Sequence, residues 1–291
     1  MAKIYTGALF MPGKLKLAGI ILTIFFSHTT LAQEEGEYKA NAPEQKETGG
    51  TSNTDLAKAA QNPIANLISL PFQNNTDFDW GPEEGTRNTL NIQPVWPFEI
   101  TDDWNVITRT ILPVVSQPGR VPGEDRENGL GDATFTAFFS PSAASQVTWG
   151  AGPVVLLPTA TDDRLGSDSW GLGPSIVVLN ISGKWVVGGL ISQVWDVGGS
   201  GDDIDLLTLQ PIINYNLEDG LYLTSVPIIT ANKEAEGGNK WTVPIGGGIG
   251  KIFRIGKMPL NSQAQVFYNV EKPEDVGDWS LRLQVQLMFP K

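Results

Sequence analysis

From about residue 66 to the end, this chain alternates apolar and polar residues in one long run after another. The closing stretch, DWSLRLQVQLMFPK (278–291), shows the rule plainly. Trp279, Leu281, Leu283, Val285, Leu287 and Phe289 are separated by Ser280, Arg282, Gln284, Gln286, Met288 and Pro290. A period of two is that of a β-strand with one apolar and one polar face. A soluble sheet would cover the apolar face with a second layer; a membrane barrel would turn it to lipid.

Twelve such runs are expected, near 66–80, 86–98, 104–116, 131–140, 147–157, 170–181, 184–196, 204–217, 221–231, 240–253, 260–271 and 279–289. They are longer than the soluble norm of about 5–6 residues and suit a tilted membrane strand of about 9–11. The connections alternate in kind. Tight ones fall at 99–103, 140–145, 181–184, 217–220 and 254–259, and generally longer, acidic ones at 117–130, 158–169, 197–203, 232–239 and 271–278. Short turns at one end and longer loops at the other mark an outer-membrane barrel, and an even strand count returns both termini to the short-turn, periplasmic side.

The tryptophans give a second test. Trp96, Trp104, Trp149 and Trp185 fall at short-turn ends of the runs, and Trp80, Trp170, Trp195, Trp241 and Trp279 at long-loop ends. Two interfacial aromatic girdles require this placement, whereas the core of a soluble sandwich or solenoid has no reason for it. The expected fold is therefore all-β: a transmembrane antiparallel barrel over 65–291, behind a short N-terminal periplasmic segment.

That segment divides in two. Lys3, Lys14 and Lys16 lead into the apolar LAGIILTIFF (17–26), and Thr30 and Ala32 precede a cleavage point near Gln33, so 1–32 reads as a signal peptide. Residues 33–64 are polar and rich in Glu, Lys, Gly and Thr at their start, a mobile stretch. Within it NTDLAKAAQ (53–61) predicts a short helix capped by Asn53 or Thr54 and ended by Pro63.

Composition removes whole classes of chemistry. There is no Cys, and the single His, His28, lies inside the expected signal. Ser-His-Asp hydrolysis, Cys-His catalysis and ordinary zinc sites are thereby excluded for the mature chain, and no cofactor is expected. A net charge of −12, more negative once three signal lysines are removed, argues against a nucleic-acid partner. GGGIGK (246–251) lacks the residues of a phosphate loop at 245 and 252; Gly246, Gly248 and Gly250 share one strand face and would leave lumen space or let the backbone bend. The acidic clusters lack calcium-loop spacing and read as solvated loop surface.

Fixing the apolar positions outward leaves an inward set. Asn261, Gln263, Gln265, Arg282, Gln284 and Gln286 come from the last two runs, and Arg87, Asn91, Gln93 and Arg109 from the first three, with Gln73, Asn75 and Asp77. Closure makes these runs neighbours, so they form one polar wall. Opposite it, Gly150, Gly152, Val154, Leu156, Gly188 and Leu190 form a small and apolar one. Such polar groups either guide a solute or satisfy one another in a filled barrel.

Several stretches resemble one known family in combination: LAKAAQNPIANLISLPFQNNTDFD (56–79), ILPVVSQP (111–118), GLGDATFTAFFSP (129–141), WGAGPVVLLPTATDD (149–163) and WGLGPSIVVL (170–179). They are similar to the bacterial outer-membrane family associated with meta-pathway phenol degradation, whose members are often labelled transporters or, misleadingly, neuromedin U. The resemblance implies a Gram-negative outer-membrane barrel and passage of small compounds, and it assigns no catalytic or binding residue. The closing run also resembles the signal read by the barrel-assembly machinery, with Phe289 as its aromatic, although Pro290 and Lys291 follow. The expected partners are membrane lipid, that machinery and a small solute. The leading function is a channel or transporter for small aromatic or amphiphilic solutes, the alternative a non-conducting barrel with a structural or surface-interaction role.

Overall fold

A computed structural model describes residues 52–143 and 145–290; the expected signal peptide and the residues up to 51 lie outside the described residues. One helix, α1 (Asn53–Ala60), precedes fifteen strand segments: β1 (Ile68–Trp80), β2 (Gly85–Ile92), β3 (Val95–Thr101), β4 (Trp104–Gln117), β5 (Glu127–Leu130), β6 (Ala133–Pro141), β7 (Val147–Leu157), β8 (Ser169–Ser182), β9 (Trp185–Gly199), β10 (Asp205–Asn216), β11 (Leu221–Ser225), β12 (Ile229–Asn232), β13 (Trp241–Ile255), β14 (Met258–Glu271) and β15 (Trp279–Phe289). Because β2/β3, β5/β6 and β11/β12 are each one stave with a break, the segments make twelve staves. Every pairing is antiparallel, and β1 joins β15 from Ile68↔Phe289 to Asp77↔Ser280, which closes the barrel.

Closure gives the alternation its meaning. On β15, Trp279, Leu283, Val285 and Phe289 are exposed, while Arg282, Gln286 and Met288 are buried. The same inversion runs round the molecule: Ile176, Val178, Val187, Ile191, Ile213, Ile245, Ile249 and Val266 are large, apolar and exposed. An apolar band of this extent is unstable in water and matched to lipid. The barrel therefore belongs in the outer membrane. Connections 102–103, 142–146, 183–184, 217–220 and 256–257 close one end; 81–84, 118–126, 158–168, 200–204, 233–240 and 272–278 rise from the other.

The three breaks have local causes. Pro94 cannot donate to the ladder, and the gap beside it is closed by Gln93 N–H to Pro71 O at 2.9 Å and Thr110 N–H to Pro94 O at 3.1 Å. At 131–132, Gly131 N–H reaches Pro113 O at 2.9 Å. The break at 226–228 is wider. The registers Ile213↔Ser225 and Leu209↔Ile229 bring Pro227 opposite Pro211, so neither offers a donor there. Val226 turns to the lumen instead: its N–H donates to Gln265 Oε1 at 3.1 Å and its carbonyl accepts from Arg282 Nη1 at 2.6 Å.

Helix α1 stands in the lumen at the short-turn end. Ser52, rather than Asn53 or Thr54, is its N-cap, and the Ser52 hydroxyl accepts from Asp55 N–H at 3.1 Å. Leu56 and Ala57 are buried against Leu67, Tyr222, Ile252 and Met288. Gln61 and Asn216 exchange side-chain amide bonds at 2.9 and 3.2 Å. Gly220 lets the first turn approach, since a Cβ there would lie 3.0 Å from Asn53 Cβ. The chain then crosses to the other wall, where Ile64 packs with Ile107, Phe138, Val177, Leu179, Val186, Leu190 and Ile212. The short-turn mouth is thus spanned from wall to wall.

Candidate functional site: an amphiphilic lumen

Register aligns the inward amides of neighbouring strands into rows. Gln263, Gln284, Gln73 and Asn91 stand abreast on β14, β15, β1 and β2. The next row, towards the loops, is Gln265, Arg282 and Asn75; the row below is Asn261 and Gln286. Alternation on antiparallel strands in register requires such rows. Many of their bonds are internal: Gln265 Nε2 to Gln263 Oε1 at 3.1 Å, Asn261 Nδ2 to Gln286 Oε1 at 3.1 Å, and Tyr222 Oη to Asn261 Oδ1 at 2.5 Å.

The three inward arginines have different surroundings. Arg282 donates through Nε to Asn75 Oδ1 at 2.9 Å and through Nη1 to Val226 O, and its guanidinium lies 4.9 Å from the Phe267 ring centre. Arg109 donates through Nη2 to Gln93 Oε1 at 2.7 Å. Arg87 faces Asp77 in register and lies 4.3 Å over the Trp80 ring. Among the described residues, no ion pair joins any of the three to a carboxylate.

Two cavities follow from this geometry. The inner one, about 120 Å³, lies over Ala59–Pro63 and between the walls. Gln93, Arg109, Gln263, Gln265, Arg282, Gln284 and Gln286 line it on one side, Gln210, Ile212, Asn214, Thr224 and Val226 on the other. The outer one, about 770 Å³, is a vestibule beneath the loops that takes in Trp80, Arg87, Arg120 and Arg164. Of the ten expected lumen residues, the inner cavity thus gathers seven. Arg87 belongs to the vestibule, Asn261 is consumed beside Tyr222, and Asn91 sits half-buried in its row.

The β7–β9 wall is apolar, with Val154 and Leu190 buried inward as its sequence suggests, and it is packed around Ile64 away from the inner cavity. Its glycines admit protein, not solute. A Cβ at Gly150 would press on Ile64 Cδ1 at 3.3 Å, and on β13 a Cβ at Gly250 would meet the Tyr222 ring at 2.1 Å. What sequence reasoning missed is the second contribution to the inner cavity. Asn214 and Thr224, paired across β10 and β11, are buried there with Asn214 Oδ1 and Thr224 Oγ1 lacking any partner. A polar residue at an inward position of each strand was the available signal.

Eight of the nine tryptophans are exposed at the ends of the lipid belt. Trp96, Trp104, Trp149 and Trp185 lie near the short turns, and Trp170, Trp195, Trp241 and Trp279 near the loops. Trp104 meets Trp149 edge-on at 6.0 Å and Trp279 meets Tyr268 at 5.0 Å. Trp80 is placed differently. A register shift between Asp77 and Trp80, with Asp79 at φ 55°, moves it off the outer face and onto Arg87. Phe289 is exposed at the end of β15.

At the loop end, Arg164 gathers Glu124 at 3.0 Å, Asp162 at 2.9 Å and Glu127, which ties 118–126 to 158–168. Backbone donation from Arg120 holds the Glu124 carboxyl below its ordinary range, and the Arg164 guanidinium does the same for Asp162. Asp132 accepts from Thr159 N–H, Ala160 N–H, Ser167 N–H and the Ser167 hydroxyl, fixing the second loop at its root.

No curated protein matches this sequence. Among solved structures, an outer membrane channel from Pseudomonas putida F1 is similar at TM-score 0.61 and 19% identity, over 77% of this chain and 95% of that one. Outer membrane phospholipase A from Escherichia coli matches at 0.42 and 14%, over 83% and 99%, and the Pseudomonas putida toluene transporter TodX at 0.38 and 9%, over 82% and 91%. The first likeness supports the barrel fold; the other two are too distant to carry an argument. A family model matches residues 84–266, well over half of the sequence, and the chain belongs to that family, described as "Putative MetA-pathway of phenol degradation".

Proposed function

We propose that the barrel is a channel, not an enzyme, for small solutes with an apolar body and a polar end. The observation that carries this reading is an unfilled cavity in the lumen: Gln73, Gln93, Arg109, Gln263, Gln265, Arg282 and Gln284 line it on one side, and Ile212, Val226, Leu67 and the alanines of α1 add apolar surface beside Gln210, Asn214 and Thr224. A purely structural barrel gains nothing from keeping buried polar groups around empty space, because unpaired polar burial costs stability. The channel of Pseudomonas putida F1 shares the fold and is described as a channel, which accords with this reading. Lipid is the surrounding partner. Delivery to the membrane by the barrel-assembly machinery, with Phe289 as the aromatic it reads, is part of the same proposal.

The test is uptake. Intact Gram-negative cells expressing the full chain should take up labelled phenol or benzyl alcohol several-fold faster than cells without it. The purified barrel should also carry current in a planar bilayer. A folded barrel with neither property would be a non-conducting one, with an interaction role.

A further inference from the structure

We propose that the inner cavity is a binding site for small carboxylates with a compact, single-ring-sized apolar body. The inference rests on the channel reading for its physiological sense, but it concerns binding and is testable without transport. Three features converge on it.

The first is charge. Arg109 and Arg282 both line the cavity. Neither is ion-paired among the described residues. Asp77, the acid within electrostatic reach of Arg282, is shared with Arg87, which it faces in register. The side-chain hydrogen bond of Arg109 goes to an amide, Gln93 Oε1. In a chain of net charge −12, two buried guanidinium groups beside a void are not a by-product of composition. Buried charge is costly unless paired, so an anion between them would be held by the relief of that cost. A carboxylate also suits the planar fork of an arginine, which an alcohol does not.

The second is the unpartnered pair across the void. Asn214 and Thr224 are buried, line the same cavity, and leave Asn214 Oδ1 and Thr224 Oγ1 without a partner. The Thr224 hydroxyl can donate to a carboxylate oxygen. The Asn214 carbonyl can accept from a hydroxyl or water carried with the ligand. A buried polar group without a partner costs stability, and a ligand or water entering the cavity these two residues line would relieve that cost.

The third is size and lining. A cavity of about 150 Å³ admits benzene. The inner cavity, about 120 Å³, is somewhat smaller, which restricts it to a compact body, and Ile212, Val226, Leu67, Ala59 and Ala60 supply apolar contact among its amides.

Titration calorimetry on the full-length barrel in detergent micelles at pH 7, corrected with empty micelles, tests the site directly. Benzoate should bind at least tenfold more tightly than benzyl alcohol, its neutral counterpart of similar size. Arg109→Gln should weaken benzoate binding at least tenfold and leave benzyl alcohol unchanged. Should Arg109→Gln fail to give a heat-modifiable folded band, Thr224→Val decides: it removes an unpartnered hydroxyl, should fold, and should weaken benzoate binding several-fold. Equal affinity for the acid and the alcohol would overturn the proposal, as would benzoate binding that Thr224→Val leaves unchanged. Benzoate binding without current or uptake would keep the site and remove the transport reading. Current and uptake without discrimination would do the reverse.

Discussion

At the scale of single residues, this barrel is governed by which way a side chain points. Leu283 and Gln284 are adjacent on β15, yet one meets lipid and the other a row of amides. Leu283→Arg should cost about 2–4 kcal/mol if the site is near the bilayer midplane, and Gln284→Leu much less. Urea refolding into lipid vesicles would measure both; equal tolerance would place the alternation on the wrong face. A second residue-scale expectation concerns pH. Glu124 and Asp162 are held below their ordinary range, so their contribution to the Arg164 clamp is complete above the unfolded carboxylate value of about 4 and is lost only as pH falls through the depressed folded values. With spin labels at Asp125→Cys and Asp163→Cys, the distance between the loops should stay narrow at pH 7 and pH 5 and broaden near pH 3. Arg164→Gln should broaden it already at pH 7. Broadening of the unmutated clamp at pH 5 would show that these carboxylates do not hold the loops.

At the scale of elements, α1 joins the two halves of the lumen, with Leu56 on one wall and Ile64, just beyond it, on the other. Burying a leucine contributes about 1.5–3 kcal/mol, which is enough to hold a short segment that would not be helical alone. Leu56→Glu places a charge among Tyr222, Ile252 and Met288, and should release the helix without unfolding the staves. Single-channel conductance should then rise several-fold; an unchanged conductance would mean that ions do not pass where α1 stands. The position of this helix was not legible in the sequence, because eight mostly small or polar residues carry no signal for what they pack against. The staves were legible because alternation, turn length and tryptophan position report the same lipid slab independently. Trp80 shows where that logic stops. A bulge at Asp79 depends on one backbone angle, and no periodicity encodes it. The polar wall could be read from alternation plus closure. The inner cavity could not, since a void is set by the side chains that fail to fill a space, and Asn214 and Thr224 stand out only once their partners are counted.

At the scale of the whole molecule, orientation follows from asymmetry between the two ends. An even number of staves places β1 and β15 so that both terminal segments leave on the side of the short turns, where α1 also lies. Loops 118–126, 158–168 and 233–240 rise on the other side, two of them cross-tied by Arg164. A barrel of this kind has its short turns in the periplasm and its long loops outside the cell. The absence of cysteine makes the arrangement simple to test, because any introduced thiol is the single target in the chain. Glu236 and Glu218 are both exposed, one in the 233–240 loop and the other in the 217–220 turn. On intact cells, a membrane-impermeant maleimide should label Glu236→Cys fully and spare Glu218→Cys, which should react once the outer membrane is permeabilised. The opposite pattern would invert the molecule, putting the Arg164 clamp and the vestibule in the periplasm and the α1 floor at the cell surface. In that case solute would meet the helix first, and the inner cavity would open to the outside only after α1 had moved.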